Sequence, residues 1–263
     1  MIGKSDDPDV SVGRNGIAKL RSLKRFGTVI FDCDATLSQI EGIEELGREH
    51  RAAIEELTDA AMGGKVPLED IYGRRLGLAR PNRARVEEVG RMYYERIVPD
   101  AEAVIATLHA EGIDVRIISA GVRQAVLMLA RRLGVRDENV AAVEIYFDEN
   151  GEYSGFDVRS PVSAAGGKRR VIEEWAPTMK RPVMLVGDGA TDLEAKPVVD
   201  LFVAFAGVAY RPAVVANADV VIRARSLAPV LPLALGGEPP ADPAARQLYD
   251  RGLEMLGPAI PDK

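Results

Sequence analysis

The chain has 263 residues, of which 47% are hydrophobic and 28% are charged, and its formal net charge is −6. This length favours one domain with a sizeable insertion over two equal domains. The negative balance gives no general basic field and argues against nucleic acid as a partner, so any basic residue that holds an anionic ligand must be placed locally.

The cysteine content and the first residues bear on the compartment. Cys33 is the only cysteine, which excludes an intramolecular disulfide and a zinc site built from several thiolates. Residues 1–16 carry acidic residues where a secretory signal would have an apolar run, and no stretch approaches the ~20 apolar residues of a membrane span. We therefore expect a soluble, cytoplasmic protein without a membrane partner.

Short apolar runs recur along the chain and are typical of strands buried on both faces. In chain order they cover 27–32, 114–119, 182–188, 201–205 and 218–223. Helical patterns lie between the runs, at 100–111, 123–133 and 168–175. Strands that alternate with helices predict an α/β fold with a doubly wound, Rossmann-like parallel sheet.

One long segment breaks this alternation. Residues 41–98 are charged and helical in pattern and contain no clear strand, so we interpret them as an inserted helical cap. The α/β core would then comprise 17–40 and 99–236, with tails at 1–16 and 237–263, the second of which ends in a short helix after a proline-rich linker. An Asn-Gly pair at 150–151, between aromatic residues, predicts a β-hairpin.

Reactive side chains follow three of the predicted strands. Asp32 and Asp34 follow the first strand, Ser119 ends the second and Asp188 follows a later one. Open parallel sheets bind ligands outside the carboxyl ends of their strands, and residues two apart point to the same side. Clustered carboxylates repel each other unless a hard cation binds them, and Mg²⁺ is the natural candidate. Taken alone, either acidic motif is better explained by turn chemistry, since aspartate and glycine are common in strand-to-loop turns.

Four motifs occur together in a fixed order: FDCDAT after the first strand, IISAG after the second, GGK at a helix start and VGDGATD after a later strand. This set resembles that of the haloacid-dehalogenase-like (HAD) hydrolase superfamily. Within it, the chain is more similar to the phosphoserine phosphatases, through EGIEEL, AMGGKVP, RRLGLARP, NGEYSGFD and GGKRRVI. The resemblance covers residues 26–223 and leaves both tails outside it.

The resemblance implies roles for the acids. Asp32 attacks phosphorus and forms an aspartyl phosphate, which water then hydrolyses. Asp34 protonates the leaving oxygen and afterwards takes a proton from the attacking water. Mg²⁺ is held by Asp32, the backbone carbonyl of Asp34, Asp188 and waters. Asp192 lies just behind these ligands and orients water or Lys168.

The resemblance also implies a phosphate site, made of Ser119, the backbone amides of Ala120 and Gly121, and Lys168. Lys168 counts among the catalytic residues because phosphoryl transfer is catalysed mainly by positioning and charge stabilisation. Taken alone, a serine after a strand is usually a helix cap, and a lysine at a helix start is usually solvated.

Cap residues are expected to select the substrate. In phosphoserine phosphatases a glutamate after the first motif and an arginine of the cap bind the amino-acid end of the substrate, and Glu41 and Arg75 match them. Arg74 is adjacent, so the register could be one residue off, and both matched residues could instead be solvated surface charges. Met62, as an apolar wall or a core residue, and Thr191 complete the expected substrate site.

Two residues depart from the family pattern. Ala35 stands where serine usually follows the second aspartate, and Ala120 stands where the first of two glycines is usual. Ala35 removes a hydroxyl, whereas Ala120 keeps its amide and adds a methyl that can crowd the substrate. His50 and His109 lie on predicted helices away from the strand ends, which disfavours a histidine-based phosphatase.

The expected function is the Mg²⁺-dependent hydrolysis of O-phosphoserine to serine and phosphate, a step of serine biosynthesis. One alternative is the same chemistry on another small phosphorylated metabolite, such as phosphohomoserine. The other is a catalytically inactive relative that binds a phosphorylated metabolite. A small phosphorylated substrate is the partner that we expect, and the sequence does not indicate an oligomeric state.

Overall fold

The computed structural model describes residues 24–62 and 68–256, without the side chains of residue 55 and of residues 58–62 and 68–70. Its strands are β1 Thr28–Phe31, β2 Asp114–Val122, β3 Val140–Val143, β4 Ile145–Phe147, β5 Tyr153–Phe156, β6 Val183–Gly187, β7 Leu201–Phe205 and β8 Val220–Ile222. Six of these strands form a parallel sheet in the order β3-β2-β1-β6-β7-β8, and β4 pairs with β5 in a separate antiparallel hairpin. The predicted doubly wound α/β fold is confirmed.

The strand order places a switch point between β1 and β6. From β1 the chain moves outward through β2 and β3, then returns to β6 beside β1 and moves outward on the other side. Phe31 pairs with Ile117 on one side and with Val186 on the other, so β1, β2 and β6 reach the same edge of the sheet. Open sheets bind ligands at that edge, where the strand order reverses.

The burial of the strands follows from their sequences. β1, β6 and β7 are buried at every residue and, apart from Thr28, have no polar side chain, as in parallel sheets covered by helices on both faces. The sequence patterns do not predict β3. Its sequence, VAAV, is short, and its two alanines are only half-buried, so it lacks the β-branched run that marks the other strands.

The helices that follow the first segment are Ala101–Ala110, Arg123–Arg132, Gly167–Trp175, Ala190–Leu193, Pro212–Asn217, Val230–Ala234 and Pro243–Met255. Gly112 and Gly134 follow the first two with φ angles of 73° and 71°, which glycine tolerates best. Asp100 has a φ angle of 66° and lies outside the helix, which therefore begins one residue later than predicted. None of the helices in the described ranges is both long and apolar enough to span a membrane.

The segment between β1 and Ala101 is built from helices. These are Gly42–Leu46, Arg51–Met62, Leu68–Ala79 and Arg83–Glu95, with a 3-10 turn at Arg48–His50. No strand occurs among the described residues of this segment, and its two ends meet in an isolated antiparallel bridge between Ser38 and Ile97. The arrangement suits a cap over the strand ends, and the bounds 41–98 remain a prediction.

Two contacts tie this segment to the rest of the molecule. The helix Arg83–Glu95 lies close to the helix Arg123–Arg132, since a β-carbon at Gly90 would be 2.3 Å from the Met128 sulfur. The hairpin of β4 and β5, which turns at Gly151, accepts a hydrogen bond of 2.8 Å from the Arg83 backbone N–H. The hairpin thereby supports the start of a cap helix.

The last described helix packs on the core. Asp242 caps Pro243–Met255 by accepting a hydrogen bond of 2.9 Å from the Ala245 backbone N–H. Leu248 is buried, and a β-carbon at Gly252 would lie 2.3 Å from the carbonyl oxygen of Ala228. This helix has 13 residues and is longer than the short one that the sequence predicts.

Candidate active site

Asp32 lies at the carboxyl end of β1 and is buried. Its Oδ2 is 2.8 Å from the Lys168 ammonium nitrogen, and its Oδ1 accepts a hydrogen bond of 2.7 Å from the Cys33 backbone N–H. Burial raises the pKa of Asp32 well above its usual range, the carboxylate of Asp192 raises it further, and Lys168 opposes both. The contacts with Lys168 and with the Cys33 backbone N–H fix the direction of both Asp32 oxygens.

Lys168 joins Asp32 to Asp192. The lysine is 3% exposed, and its nitrogen lies 2.7 Å from Asp192 Oδ1. Burial alone would lower the pKa of Lys168, but Asp192 and Asp32 outweigh it and raise the pKa above its usual value. The start of the lysine's helix can approach its neighbours because position 167 is glycine: a β-carbon there would lie 1.9 Å from the Pro161 carbonyl oxygen. The lysine is a permanent cation beside the nucleophile candidate.

Three buried carboxylates fit a metal ion. Oxygens of Asp32, Asp188 and Asp192 lie within 4.8 Å of one another, and burial raises the pKa of Asp188 as well. A divalent cation would relieve the repulsion among them. Both oxygens of Asp192 are already paired, with Lys168 and with the Gly189 backbone N–H at 3.0 Å. Both oxygens of Asp32 and of Asp188 are paired as well, but these two residues line the open cavity at the strand ends, whereas Asp192 is fully buried and does not. A cation that enters the cavity can therefore reach Asp32 and Asp188, and Asp192 is placed to hold Lys168.

The carboxylate of Asp34 belongs to another network. It accepts hydrogen bonds from the Tyr93 hydroxyl at 2.8 Å, from the Ser119 hydroxyl at 3.0 Å and from the Gly42 backbone N–H. The Asp34 carboxylate does not belong to the group of three carboxylates, and it lines a cavity that Asp32 also lines. Asp34 is therefore placed to exchange a proton with a group bound in that cavity.

The last part of β2 explains one departure from the family pattern. The strand does not end at Ser119, as predicted, but runs on to Val122 with a register irregularity after Ile118. The Gly121 backbone N–H donates a hydrogen bond of 2.8 Å to the Ser119 hydroxyl. A β-carbon at Gly121 would lie 2.9 Å from Asp34 Oδ2 and 3.0 Å from Ser119 Oγ, so this position requires glycine. Ala120 instead lines the open cavity, where its methyl group has room. Only the second of the two usual glycines is required by the packing.

A cavity of about 500 Å³ connects these groups to the cap. Arg75 lines it, whereas Arg74 is an exposed residue that does not. The Nε atom of Arg75 is buried without a hydrogen-bond partner. Glu41 also lines the cavity, and burial, with Asp34 and Asp188, raises its pKa to about 8.

Comparison with known proteins agrees with this geometry. The model of the haloacid dehalogenase-like hydrolase family matches residues 29–195. The chain is 41% identical over 199 residues to the chloroplastic phosphoserine phosphatase of Arabidopsis thaliana, covering 74% of this chain and 68% of that protein. It is 37% identical over 194 residues to the phosphoserine phosphatase of Bos taurus, covering 73% of this chain and 86% of that protein.

Solved structures give the same result. The structure of a substrate-bound phosphoserine phosphatase complex superposes with a TM-score of 0.65 at 25% identity, over 80% of this chain and 98% of that one. The chain belongs to the haloacid dehalogenase-like hydrolase family. The resemblance indicated by its motifs, to this family and within it to the phosphoserine phosphatases, is confirmed.

Other predicted residues of this HAD hydrolase fall in different places. Thr191 is half-buried and lines the cavity. Met62 ends a helix, but its side chain lies outside the described residues. Ala35 is buried and has a φ angle of 49°, a left-handed conformation that is unusual for alanine. His50 and His109 do not line the cavity, and Cys33 is buried as a free thiol.

Sequence reasoning missed Arg211. This residue follows β7 at the sheet edge that bears the other acids, and its Nε lies 2.9 Å from Asp188 Oδ2. Its Nη2 lies 3.2 Å from Glu41 Oε1, so one guanidinium links a candidate metal ligand to a candidate substrate residue. The available signal was its position, just beyond the apolar run 201–205 and before a proline that begins a helix.

Proposed function

We propose that this hydrolase is an Mg²⁺-dependent phosphoserine phosphatase that forms a phospho-aspartate on Asp32. One observation carries the proposal: a single cavity joins the buried pair of Asp32 and Lys168 to Glu41 and the unpaired Nε of Arg75. Phosphoserine has a phosphate for the first end and an ammonium and a carboxylate for the second. The relatives named phosphoserine phosphatase support the same assignment.

In the first step a carboxylate oxygen of Asp32 forms a bond to phosphorus while the bond from phosphorus to the serine oxygen breaks. A carboxylate needs no deprotonation for this attack. Lys168, the Ser119 hydroxyl and the backbone amides that follow Ser119 can stabilise the charge on the phosphoryl oxygens. Asp34 gives a proton to the serine oxygen as it leaves.

In the second step water attacks the phosphorus of the aspartyl phosphate, and phosphate and free Asp32 are formed. Asp34, now a carboxylate, takes the proton from this water. The Tyr93 hydroxyl and the Gly42 backbone N–H fix the direction of the Asp34 side chain for both transfers.

The metal site would use Asp32, Asp188 and the backbone carbonyl of Asp34. Bound Mg²⁺ supplies positive charge that masks the carboxylates and the phosphate oxygens during transfer. Asp192 does not need to be a ligand, since it is fully buried, does not line the cavity and holds Lys168 at 2.7 Å.

At the other end of the cavity, Arg75 is placed to bind the substrate carboxylate and Glu41 to bind its ammonium. Glu41 Oε1 lies 3.2 Å from Arg211 Nη2, so the substrate ammonium would bind Glu41 either in place of Arg211 or beside it. We also propose the cytoplasm as the place of action, which the single, free cysteine supports.

A screen of phosphomonoesters tests this proposal. The readout is released phosphate in Mg²⁺, and the panel is O-phospho-L-serine, O-phospho-L-homoserine, O-phosphoethanolamine and p-nitrophenyl phosphate. We expect the highest kcat/KM for phosphoserine. A higher value for phosphohomoserine would reassign the substrate, and binding of phosphoserine without release of phosphate would indicate an inactive relative.

A further inference from the structure

The helix Leu68–Ala79 turns one face to the active-site cavity. Ile71, Tyr72 and Arg75 line the cavity, and Leu76 is fully buried behind them. Tyr72 and Arg75 are three residues apart and are therefore neighbours on the helix surface. Arg74 points elsewhere and is exposed. The tyrosine is thus part of the wall that surrounds the arginine expected to bind the substrate.

The hydroxyl of Tyr72 is buried without a partner. The residue is only 4% exposed, and its hydroxyl oxygen makes no hydrogen bond. The Nε of Arg75 is in the same condition, and among the described side chains these two atoms are the fully buried polar atoms without a partner. Leaving such groups unpaired is destabilising, and functional sites are where this is tolerated.

The surroundings of Tyr72 define what its partner must be. Its ring packs against Phe156, with ring centroids 5.3 Å apart and an angle of 55° between the planes, which restricts the position of the hydroxyl. Burial raises the pKa of Tyr72 well above its usual value, so the hydroxyl keeps its proton and can donate. Arg75 lowers the pKa of the phenol and the carboxylate of Asp34 raises it, so Arg75 is the cation that acts on the hydroxyl. An anion bound to Arg75 would lie beside Tyr72, its neighbour on the helix surface.

We propose that the Tyr72 hydroxyl donates a hydrogen bond to the substrate carboxylate that Arg75 binds, and that Tyr72 is a specificity-determining residue. This inference rests on the proposed function, because it assigns the amino-acid end of the substrate to this part of the cavity. The competing interpretation is that the ring only fills the core and that its hydroxyl has no role.

The test compares Tyr72→Phe with the wild type on two substrates. O-phosphoethanolamine has the phosphate and the ammonium of O-phospho-L-serine but no carboxylate. For Tyr72→Phe we expect kcat/KM for phosphoserine to fall by about 10- to 100-fold, the range for a hydrogen bond to a charged group. The value for phosphoethanolamine should change by less than about twofold, since no bond to it is lost. The inhibition constant of L-serine should rise by the same factor as kcat/KM falls.

Tyr153→Phe is the matched control. Tyr153 lies close enough to Tyr72 to affect its titration but does not line the cavity, so the same deletion should leave both substrates unchanged. The melting temperature of Tyr72→Phe should equal or exceed that of the wild type, because an unpaired buried hydroxyl is removed.

The possible outcomes separate the two proposals. A wild type that prefers phosphoserine, together with a Tyr72→Phe variant that keeps this preference, overturns the role of Tyr72 alone. Equal losses on both substrates also overturn it, since they indicate a structural role. A wild type that hydrolyses phosphoethanolamine as well as phosphoserine overturns the proposed function together with this inference.

Discussion

The two ends of the active-site cavity differ in how their polar groups are paired. At the sheet end, Lys168 lies between Asp32 and Asp192 at 2.8 and 2.7 Å, and Asp34 accepts three hydrogen bonds. At the cap end, the Tyr72 hydroxyl and the Arg75 Nε are buried without partners. The first arrangement suits chemistry that must be positioned before the substrate arrives. The second arrangement suits a binding site whose hydrogen bonds form only when the ligand is present.

The two ends of the cavity should therefore respond differently to substitution. Changes at the sheet end should lower the turnover of every phosphomonoester, whereas changes at the cap end should act on substrates that have an amino-acid group.

The largest effect is expected for Asp32→Asn. The amide is nearly isosteric but is a poor nucleophile, so activity on phosphoserine and on p-nitrophenyl phosphate should fall by several powers of ten alike. The melting temperature should stay near that of the wild type. Asp250→Asn, a change in an exposed carboxylate of the last helix, is the control and should be silent. Substantial activity of Asp32→Asn on either substrate would remove Asp32 from the nucleophile role.

Removal of the metal should also stop turnover of every substrate. A chelator should abolish phosphate release, and Mg²⁺ should restore it, whereas Ca²⁺ should inhibit because its larger and looser coordination shell misplaces the reacting atoms. Mg²⁺ should also raise the melting temperature of the wild type. Asp188→Asn should show a reduced thermal response to Mg²⁺. Full activity in chelator would contradict a metal-dependent mechanism.

Arg75→Ala should have a large effect that depends on the substrate. Loss of a desolvated charged contact is worth about 2–5 kcal/mol, so kcat/KM for phosphoserine should fall by orders of magnitude. The loss on p-nitrophenyl phosphate should be far smaller. Arg75→Lys should remain impaired, because a point charge does not reproduce the planar fork of a guanidinium. Glu41→Gln should show the same substrate dependence.

Arg74→Ala is the matched control for this pair, since Arg74 is adjacent and exposed. It should leave both substrates unaffected. If Arg75→Ala reduced the two substrates equally, Arg75 would support the fold or the chemistry, and the division between the two ends would not hold.

The smallest effect concerns the stability of the metal-free protein. The pKa of Glu41 is raised by burial, and by Asp34 and Asp188, from 4.5 to about 8. Between these two pKa values, the folded state holds a proton that the unfolded state has lost. The stability that Glu41 contributes is therefore fully present below its unfolded pKa and is lost as pH rises through its folded pKa. The effect should be modest because 37% of the Glu41 side chain is exposed.

The measurement is the free energy of unfolding in chelator, by urea titration, across the window between these two pKa values. Glu41→Gln should lose less stability than the wild type as pH rises, whereas Glu254→Gln, a change in an exposed residue, should follow the wild type. Identical pH dependence in wild type and Glu41→Gln would show that Glu41 titrates normally.

Much of the fold follows from local patterns. The strands β1, β6 and β7 were predicted because runs such as VMLVG are apolar at every position, which a sheet covered on both faces requires. β3 was missed because VAAV has no such run, and it is a strand only because β2 provides an edge. The helix Pro243–Met255 was predicted too short, since its apolar contacts are made with distant residues such as Ala228.

The residues of the candidate site could likewise be predicted only in part. The order of the motifs predicted Asp32, Ser119, Lys168 and Asp188, because these residues follow strands or begin a helix at one edge of the sheet. Arg211 was missed because nothing local distinguishes an arginine in a loop from a solvated one. The role of Tyr72 could not be predicted either, since an unpaired hydroxyl is a property of the packing and not of the sequence.

The most direct test of the different roles of the sheet end and the cap end is a crystal structure with Mg²⁺, beryllofluoride and L-serine. Beryllofluoride stands in for the transferred phosphoryl group, and serine is the product that should remain at the cap end. We expect beryllofluoride on a carboxylate oxygen of Asp32 and the serine carboxylate on the Arg75 guanidinium and the Tyr72 hydroxyl. Beryllofluoride on any other residue, or serine with its carboxylate away from Arg75, would contradict the account.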